Sequence, residues 1–416
     1  MSSTTQTLKR PSGFAISDNR LLAYGLCLLA YLISGTMATM MSAYLPVAVP
    51  ELVTGPVDSA RMGDTGAYIS AVFLYGWMAG GLLFGQLSDR YGRKPVLVFV
   101  TLLSGLATIL TVFTPDWKLL LVCRFFTGAG IGGVLLMTTV YISEIWPEKT
   151  RSVALGILAV TFPVGIVSTG LLNVLTNSWR QAFWVGLLPI LIALLFLPFL
   201  KESPEWLHGK TSSKGLRASM FDKEQRALLV TGSLIFGMVL IGLWGIFSWL
   251  PTWVQDLLPA GADGSKERGL VMMLLGIGGI AGGVLSGFLV NKLGDRKTLL
   301  ITFAGCILGC GLLFLTNKSF SSLVYLETGF LSLFFGISQG ALSVYIPSLF
   351  PVEIRGRATG FCFNIGRFFT ATAVFFVGQL VSIFGGFSNA LLSFTATFLT
   401  AFIVLYFFHK TSIKTE

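Results

Sequence analysis

Residues 141–156 read YISEIWPEKTRSVALG, and residues 345–360 read YIPSLFPVEIRGRATG. The two stretches lie 204 residues apart, and at that offset Arg151 aligns with Arg355 and Gly156 with Gly360. A repeat of this length is too long for a solenoid unit, and it divides the chain into two halves with the same internal order. The repeat therefore predicts two similar structural units related by a pseudo-two-fold axis.

A second, weaker sequence repeat supports the same division into two halves. GQLSDRYGRK at 85–94 resembles GFLVNKLGDRK at 287–297, about 202 residues further on. Both pairs of similar stretches fall at corresponding places in the two halves, between hydrophobic segments. The order of the elements is therefore repeated as well as the local sequence.

The composition is that of a membrane protein. Hydrophobic residues make up 54% of the 416 residues, and charged residues only 12%, about half the share found in soluble domains. So little charge excludes a disordered chain and a typical soluble enzyme. The net charge of +10 resides mostly in short polar segments between the hydrophobic stretches, which is typical of membrane topology and not of nucleic-acid binding.

Twelve segments are long and apolar enough to cross a bilayer, which needs about 20 residues. We therefore predict an all-α integral membrane protein with two pseudo-symmetric bundles of six helices, and we number the spans 1 to 12. The predicted limits are 21–49, 66–87, 95–113, 118–142, 152–172, 180–200, 227–254, 269–290, 298–316, 320–346, 357–383 and 386–408.

The lysines and arginines predict the orientation. With the N-terminus inside, 21 of the 29 basic residues lie in inside segments and 6 in outside segments, so both termini are expected in the cytoplasm. The chain then divides into tails, two bundles and a linker. These parts are a cytoplasmic tail (1–20), an N-terminal bundle (21–200), a cytoplasmic linker (201–226), a C-terminal bundle (227–408) and a final tail (409–416).

Several motifs resemble those of the major facilitator superfamily of transporters. GQLSDRYGRKP at 85–95 resembles the signature loop of that superfamily, and CRFFTGAGIGG at 123–133 and KESPEWL at 201–207 are similar to motifs of its sugar-porter and organic-acid branches. The resemblance covers the whole chain. It implies two helical bundles that rock about a central cavity and give alternating access to it.

The resemblance also implies a cytoplasmic gate. In the first half, Asp89, Glu144 and Arg151 are expected to form a latch, whereas Asn291 replaces the acidic residue in the second half, so the latch there should be weaker. Positive charges that only anchor the topology are the simpler alternative. The candidate gate residues are Gly85, Asp89, Arg90, Gly92, Arg93, Lys94, Glu144, Arg151 and Arg355.

Three charged residues lie inside predicted spans, where a charge normally faces a cavity or a partner. Arg367 lies ten residues beyond Arg357, roughly 15 Å into the bilayer. The parallel N–H donors of its guanidinium suit a carboxylate. Arg124 and Glu327 lie closer to the outer face. Arg367 is thus the candidate anchor of an anionic substrate, or else a structural arginine bonded to backbone. Glu327 is the candidate proton-coupling site, or else it pairs with Arg124.

Polar and aromatic side chains in the spans are candidates to complete the cavity, although helix packing explains each of them equally well. These side chains are Asn364, Gln339, Trp244, Ser248, Thr39 and Tyr44, with Thr36 and Trp249 as further options, and they join Arg367 and Arg124 as substrate-binding candidates. At two places the sequence differs from the branches it resembles, and these differences narrow the choice of subfamily. ILAVTFPVG (157–165) lacks the glutamine that sugar porters carry in span 5, and Ser34–Gly35 replaces the acid that proton symporters of aromatic acids carry in span 1.

These observations favour a secondary active transporter of a small organic anion, coupled to protons, acting as a monomer in a bacterial inner membrane. The alternative is a facilitator for a neutral or cationic solute, with Glu327 as the recognition charge. The sequence contains no catalytic set, and its five cysteines and two histidines show no metal-binding spacing, so neither an enzyme nor a cofactor or metal is expected.

Overall fold

The computed structural model describes residues 18–209, 222–351 and 354–407, and within these ranges every regular element is a helix. Eleven helices there are long and apolar enough to cross a membrane, and a twelfth span is a helix pair bent by 44°. The predicted all-α membrane fold is thereby confirmed. Residues 1–17 of the first tail, the final tail and residues 210–221 of the linker lie outside the described residues, and the domain limits stay predictions.

The observed spans agree with the predicted ones to within a few residues at most ends. Spans 1 to 6 are Asp18–Leu52, Ser59–Tyr91, Arg93–Val112, Trp117–Ile145, Glu148–Leu175 and Trp179–Phe199. Span 7 is Lys223–Phe247 continued by Leu250–Leu257, and spans 8 to 10 are Ser265–Leu293, Asp295–Thr316 and Leu323–Ser348. Span 11 is Arg355–Phe375 continued by Val377–Phe384, and span 12 is Phe387–Phe407.

Two turns of corresponding position depend on glycine. Gly92 joins spans 2 and 3 at φ 112°, and Gly294 joins spans 8 and 9 at φ 81°, a region of backbone conformation that other residues rarely adopt. A Cβ at position 92 would also lie 2.4 Å from a carboxylate oxygen of Glu202. These turns lie on the side of the bundle that also carries the turn between spans 4 and 5. We call this side the basic face, and the other side the opposite face.

The glycines of span 4 pack that helix against span 2. A Cβ at Gly128 would lie 2.1 Å from the carbonyl oxygen of Phe73, and one at Gly132 would lie 2.2 Å from that of Trp77. Span 2 contributes Gly76 and Gly80 in the same manner. The two helices therefore touch backbone to backbone, as small residues allow in membranes.

The two halves meet along spans 5 and 8 and along spans 2 and 11. Close contacts lie towards the opposite face, where a Cβ at Gly170 would be 2.3 Å from the Gly269 oxygen. The ring of Trp249 on span 7 is fully buried there, against Gly66 of span 2. The opposite face is thus closed by contacts between the two halves.

Candidate substrate-binding site

A cavity of about 550 Å³ lies between the two halves, within the range of volumes that hold small metabolites. Side chains from spans 1, 2, 4 and 5 of the first half and 7, 8, 10 and 11 of the second line it. Its lining at Gly156, Ala159 and Ser343 is exposed, whereas Ile166 and Phe247 at its other end are buried. The cavity therefore opens towards the basic face.

Aromatic rings form much of the wall. The ring centroids of Trp77 and Trp244, one from each half, are 5.5 Å apart, and Phe162 lies 5.9 Å from Trp77. Tyr31, Phe236, Phe247 and Phe335 add further rings to the lining. Such a wall suits a flat, apolar body and offers it few hydrogen bonds.

Most hydroxyl groups in the lining are already bonded within their own helices. Ser286, Ser343 and Thr370 each donate to a backbone carbonyl three or four residues earlier, at 2.7 to 2.8 Å. Ser332 donates to Gly329 and to Leu274 of span 8. These donors are occupied, so they do not define the polar character of the cavity.

Arg367 and Gln339 retain unused hydrogen-bonding capacity. In the described ranges the guanidinium of Arg367 makes no hydrogen bond or ion pair with protein, although the residue is half-buried in the cavity wall. The Nε2 atom of Gln339 is buried without a partner. Among the described residues, no acidic side chain lines the cavity. The cavity therefore presents one uncompensated positive charge and one free amide.

The structure places three other predicted contact residues away from this cavity. Asn364 donates to the carbonyl of Gly360 in its own helix at 2.8 Å. The hydroxyl of Thr39 lies 2.8 Å from that of Thr169, and Tyr44 lies 2.7 Å from Thr176, so both join span 1 to span 5. Thr36 likewise donates to span 5, at the carbonyl of Gly165. The three side chains on span 1 therefore connect helices of the first half, whereas Asn364 is bonded within span 11 of the second half.

Arg124 and Ser248 line a separate, much smaller pocket, which Trp244 and Leu74 share with the central cavity. Glu327 lies in neither space. Its carboxylate accepts hydrogen bonds from Asn317 Nδ2 at 2.5 Å and from the Thr316 hydroxyl at 3.2 Å, at the end of span 9. Glu327 thus has partners in its own half and does not pair with Arg124.

On the basic face, the signature loop forms a charge cluster centred on Arg93. Its guanidinium bonds Glu144 at 2.9 Å and Asp89 at 2.6 Å, and its backbone N–H donates to Glu202 at 2.8 Å. Glu202 also accepts from the N–H of Lys94, and so caps the start of span 3, where a negative charge is favourable. The cluster joins spans 2, 3 and 4 of the first half.

The remaining gate candidates have different partners. Arg151 lies 3.7 Å from Glu205, instead of joining Asp89 and Glu144, and Arg355 donates to the carbonyl of Phe350. Arg90 lies over the ring of Tyr91, and Gly85 packs against Leu136. In the second half, the place of the Arg93–Glu144 bond is taken by a 3.5 Å contact between Ser348 and Asp295.

Sequence reasoning missed part of the lining. Tyr31, Trp77, Phe162 and Phe236 were not among the candidates, because rings in apolar spans give no signal that separates a cavity wall from packing. Glu202 was assigned to the linker, although it lies in the KESPEWL motif. Its capping role at the start of span 3 has no local sequence signal, because Glu202 lies 109 residues from Arg93 along the chain.

Comparison with known proteins defines the class. Residues 27–371 match the Major Facilitator Superfamily, and the chain belongs to this family of membrane transporters. It is 27% identical to a sialic acid transporter of Escherichia coli (strain K12), over 81% of this chain and 82% of that protein. It is also 27% identical to a cis,cis-muconate transport protein of Acinetobacter baylyi, over 87% of each chain.

A third relative and a solved structure agree with this assignment. A 3-(3-hydroxy-phenyl)propionate transporter of Escherichia coli (strain K12) is 27% identical over 88% of both chains. The crystal structure of a D-xylose–proton symporter superposes with a TM-score of 0.78 at 18% identity, covering 94% of this chain and 98% of that chain. The predicted fold and the prediction that the chain is a transporter and not an enzyme are confirmed.

Proposed function

We propose that the protein is a secondary active transporter of a small organic anion, which binds in the central cavity through Arg367. The observation that carries the proposal is the unpaired guanidinium in a cavity without an acidic residue. A half-buried charge without a partner is costly unless an anion compensates it, and the parallel N–H donors of a guanidinium match a carboxylate. Relatives named as carriers of sialic acid, muconate and hydroxyphenylpropionate support this class.

The cavity wall narrows the class of anion. Sugar acids carry many hydroxyl groups and need many hydrogen-bonding partners, whereas the serine and threonine hydroxyls of this lining are already bonded to backbone carbonyls. The rings of Trp77, Trp244 and Phe162 instead favour an aromatic or unsaturated body. We therefore expect a monocarboxylate with a flat apolar part. The alternative substrate, a cation recognised by Glu327, gains no support, because Glu327 lies outside the cavity.

Two considerations support proton coupling as part of the proposal, one energetic and one structural. An anion that enters a negative-inside cell moves against about 2.3 kcal/mol per 100 mV for each charge. A co-transported proton cancels that cost, and the structurally similar protein is named as a proton symporter. The excess of basic residues predicts that the basic face is cytoplasmic, with both termini inside. We place the protein in a bacterial inner membrane as a monomer.

Substitution of Arg367 by Met tests the proposal. Purified protein is titrated with benzoate, 3-phenylpropionate, cis,cis-muconate, sialate, benzamide and benzylamine, and binding is followed by calorimetry. We expect the wild type to bind aromatic carboxylates and to reject the amide and the amine. Loss of one partner of a buried charge pair costs about 2–5 kcal/mol, so Arg367→Met should weaken binding by about thirtyfold or more.

Two controls make the result interpretable. Ser343→Ala changes a lining residue whose hydroxyl is already bonded to its own helix, and binding should stay near the wild-type value. Uptake into proteoliposomes with and without an inward proton gradient tests the coupling separately. Equal affinity for benzamide and benzoate, or wild-type affinity in Arg367→Met, would show that Arg367 is not the anchor.

A further inference from the structure

The second pocket lies next to the central cavity and has a volume of about 10 Å³, the space of a single water-sized particle. Trp244 and Leu74 line both spaces. The other lining residues come from spans 1, 2, 4 and 7, namely Ala38, Met41, Ser42, Ile69, Ser70, Phe73, Arg124 and Ser248. None of them is acidic.

Arg124 is the only charged group in this lining, and it is almost uncompensated. The residue is 2% exposed, and its Nε atom is buried without a hydrogen bond. In the described part of the chain, its one hydrogen bond runs from Nη1 to the carbonyl of Met37 at 3.5 Å, the limit of such a bond. Its Cζ lies 4.3 Å from the centre of the Phe73 ring, which compensates only part of the charge.

Three serine hydroxyls in the same pocket also lack partners. Ser42, Ser70 and Ser248 make no hydrogen bond to any described residue, and two of them, Ser42 and Ser248, are more than nine-tenths buried. Buried serines elsewhere in the first half behave differently, since Ser34 and Ser104 donate to carbonyls of their own helices. The hydroxyls here are free to donate into the pocket.

We propose that this pocket binds one monoatomic anion, of the chloride type. The guanidinium of Arg124 and the hydroxyls of Ser42, Ser70 and Ser248 supply donors, and no carboxylate is present to compete. A water molecule would fill the space but leave the buried charge uncompensated, whereas a carboxylate is too large for it. This site is distinct from the substrate site at Arg367, and it does not depend on the proposed function.

The site spans the two halves, which has a mechanical consequence. Arg124, Ser42 and Ser70 belong to the first half, and Ser248 to the second. The pocket is complete only while the opposite face is closed, as it is here. The anion binds more tightly when the two halves are together at this pocket than when they are apart. It therefore favours the conformation that opens to the basic face. Chloride then shifts the equilibrium between the two conformations of the transporter, independently of the organic substrate.

Direct binding tests the site. Purified protein in gluconate buffer is titrated with radiolabelled chloride in a scintillation proximity assay, and the expected stoichiometry is one ion per chain. Arg124→Met should abolish binding, and Ser248→Ala should weaken it by about tenfold, as expected for loss of a hydrogen bond to a charged group. The matched controls are Arg61→Met, which removes an exposed positive charge, and Ser34→Ala, which removes a hydroxyl bonded within its own helix.

A second measurement needs no change at the site. Ser343→Cys places a reporter at the exposed end of the central cavity, and its labelling by an impermeant thiol reagent should be faster in chloride than in gluconate at equal ionic strength. Absence of chloride binding by the wild type, or equal binding by Arg124→Met, would overturn the proposal. So would competition between chloride and benzoate for one site. Failure of benzoate to bind at Arg367, with chloride binding intact, would instead contradict only the proposed function.

Discussion

Glu327 illustrates how the position of one residue changes its expected role. The sequence shows a carboxylate inside a span and therefore suggests proton coupling. In the structure the carboxylate is bonded by Asn317 and Thr316, outside the cavity. We therefore expect Glu327→Gln to keep uptake driven by a proton gradient, and to lower the melting temperature by a few degrees, since about 1 kcal/mol of hydrogen bonding is weakened.

Uptake in proteoliposomes and thermal unfolding in detergent measure these two effects. Glu267→Gln, an acid in the first turn of span 8, is the matched control for the change of charge. Loss of gradient-driven accumulation with an unchanged melting temperature would instead assign the proton to Glu327.

The depth of a residue in the membrane was predictable, but the direction of its side chain was not. Arg367 was expected near the middle of the bilayer and lies in the cavity wall. Thr39 and Tyr44 lie on the correct helix but face span 5. A span that is apolar on all sides has no polar face to mark the cavity, so periodicity does not separate the two cases.

At the scale of elements, the contact between spans 2 and 4 depends on glycine. A Cβ at Gly128 would lie 2.1 Å from a backbone oxygen, which cannot move without displacing the helix. We expect Gly128→Ala to destabilise the protein by about 1–3 kcal/mol, the usual cost of overpacking. Gly311→Ala in span 9, where a Cβ meets nothing within 4 Å, should be neutral or stabilise by up to about 1 kcal/mol.

Thermal unfolding of the two alanine variants compares them directly. Equal melting temperatures for Gly128→Ala and Gly311→Ala would show that spans 2 and 4 are not in backbone contact.

The limits of the spans were predictable because hydrophobic length and turn residues define them. The breaks inside spans were not. Span 7 is interrupted at Ser248–Trp249, where Pro251 lies in the first turn of the following helix, and span 11 bends by 44° at Phe376. Proline at the start of a helix is favourable and explains the first break. The second lies two residues before Gly378, which packs closely against Gly63 and Asp64 of span 2.

At the scale of the whole molecule, the repeat predicted two halves, and the structure shows that their basic-face contacts differ. Arg93 bonds two acids in the first half, whereas Asp295 and Ser348 lie at the places of Arg93 and Glu144 in the second half. The four ion pairs that join two described residues link spans 1 to 6 with one another or with Glu205, just after span 6. The cluster therefore does not hold the two halves together while the cavity is open to the basic face.

A latch between the halves is expected when the basic face closes. Spans 2 and 11 run antiparallel, and Gly63 packs on Gly378 while the hydroxyl of Tyr75 lies 2.9 Å from that of Thr372. If spans 2 and 11 keep the antiparallel register of the Tyr75–Thr372 contact as the basic face closes, Asp89 comes to lie opposite the first turn of span 11. The Asp89 side chain is 74% exposed here, so it is accessible to a second partner. A carboxylate at a helix N-terminus stabilises by about 0.3–1 kcal/mol, which is a two- to fivefold effect on a population.

We therefore expect Asp89→Asn to shift the population towards the conformation open to the basic face. Two cysteine reporters measure the shift, since the five native cysteines are buried. Labelling should become about two- to fivefold faster at Ser343→Cys, in the cavity mouth, and slower at Asn173→Cys, which is buried near the opposite face. Asp222→Asn, an exposed acid at the start of span 7 without a cap bond, is the control. If Asp89→Asn changes both reporters in the same direction, the charge affects folding, and Asp89 is not a latch.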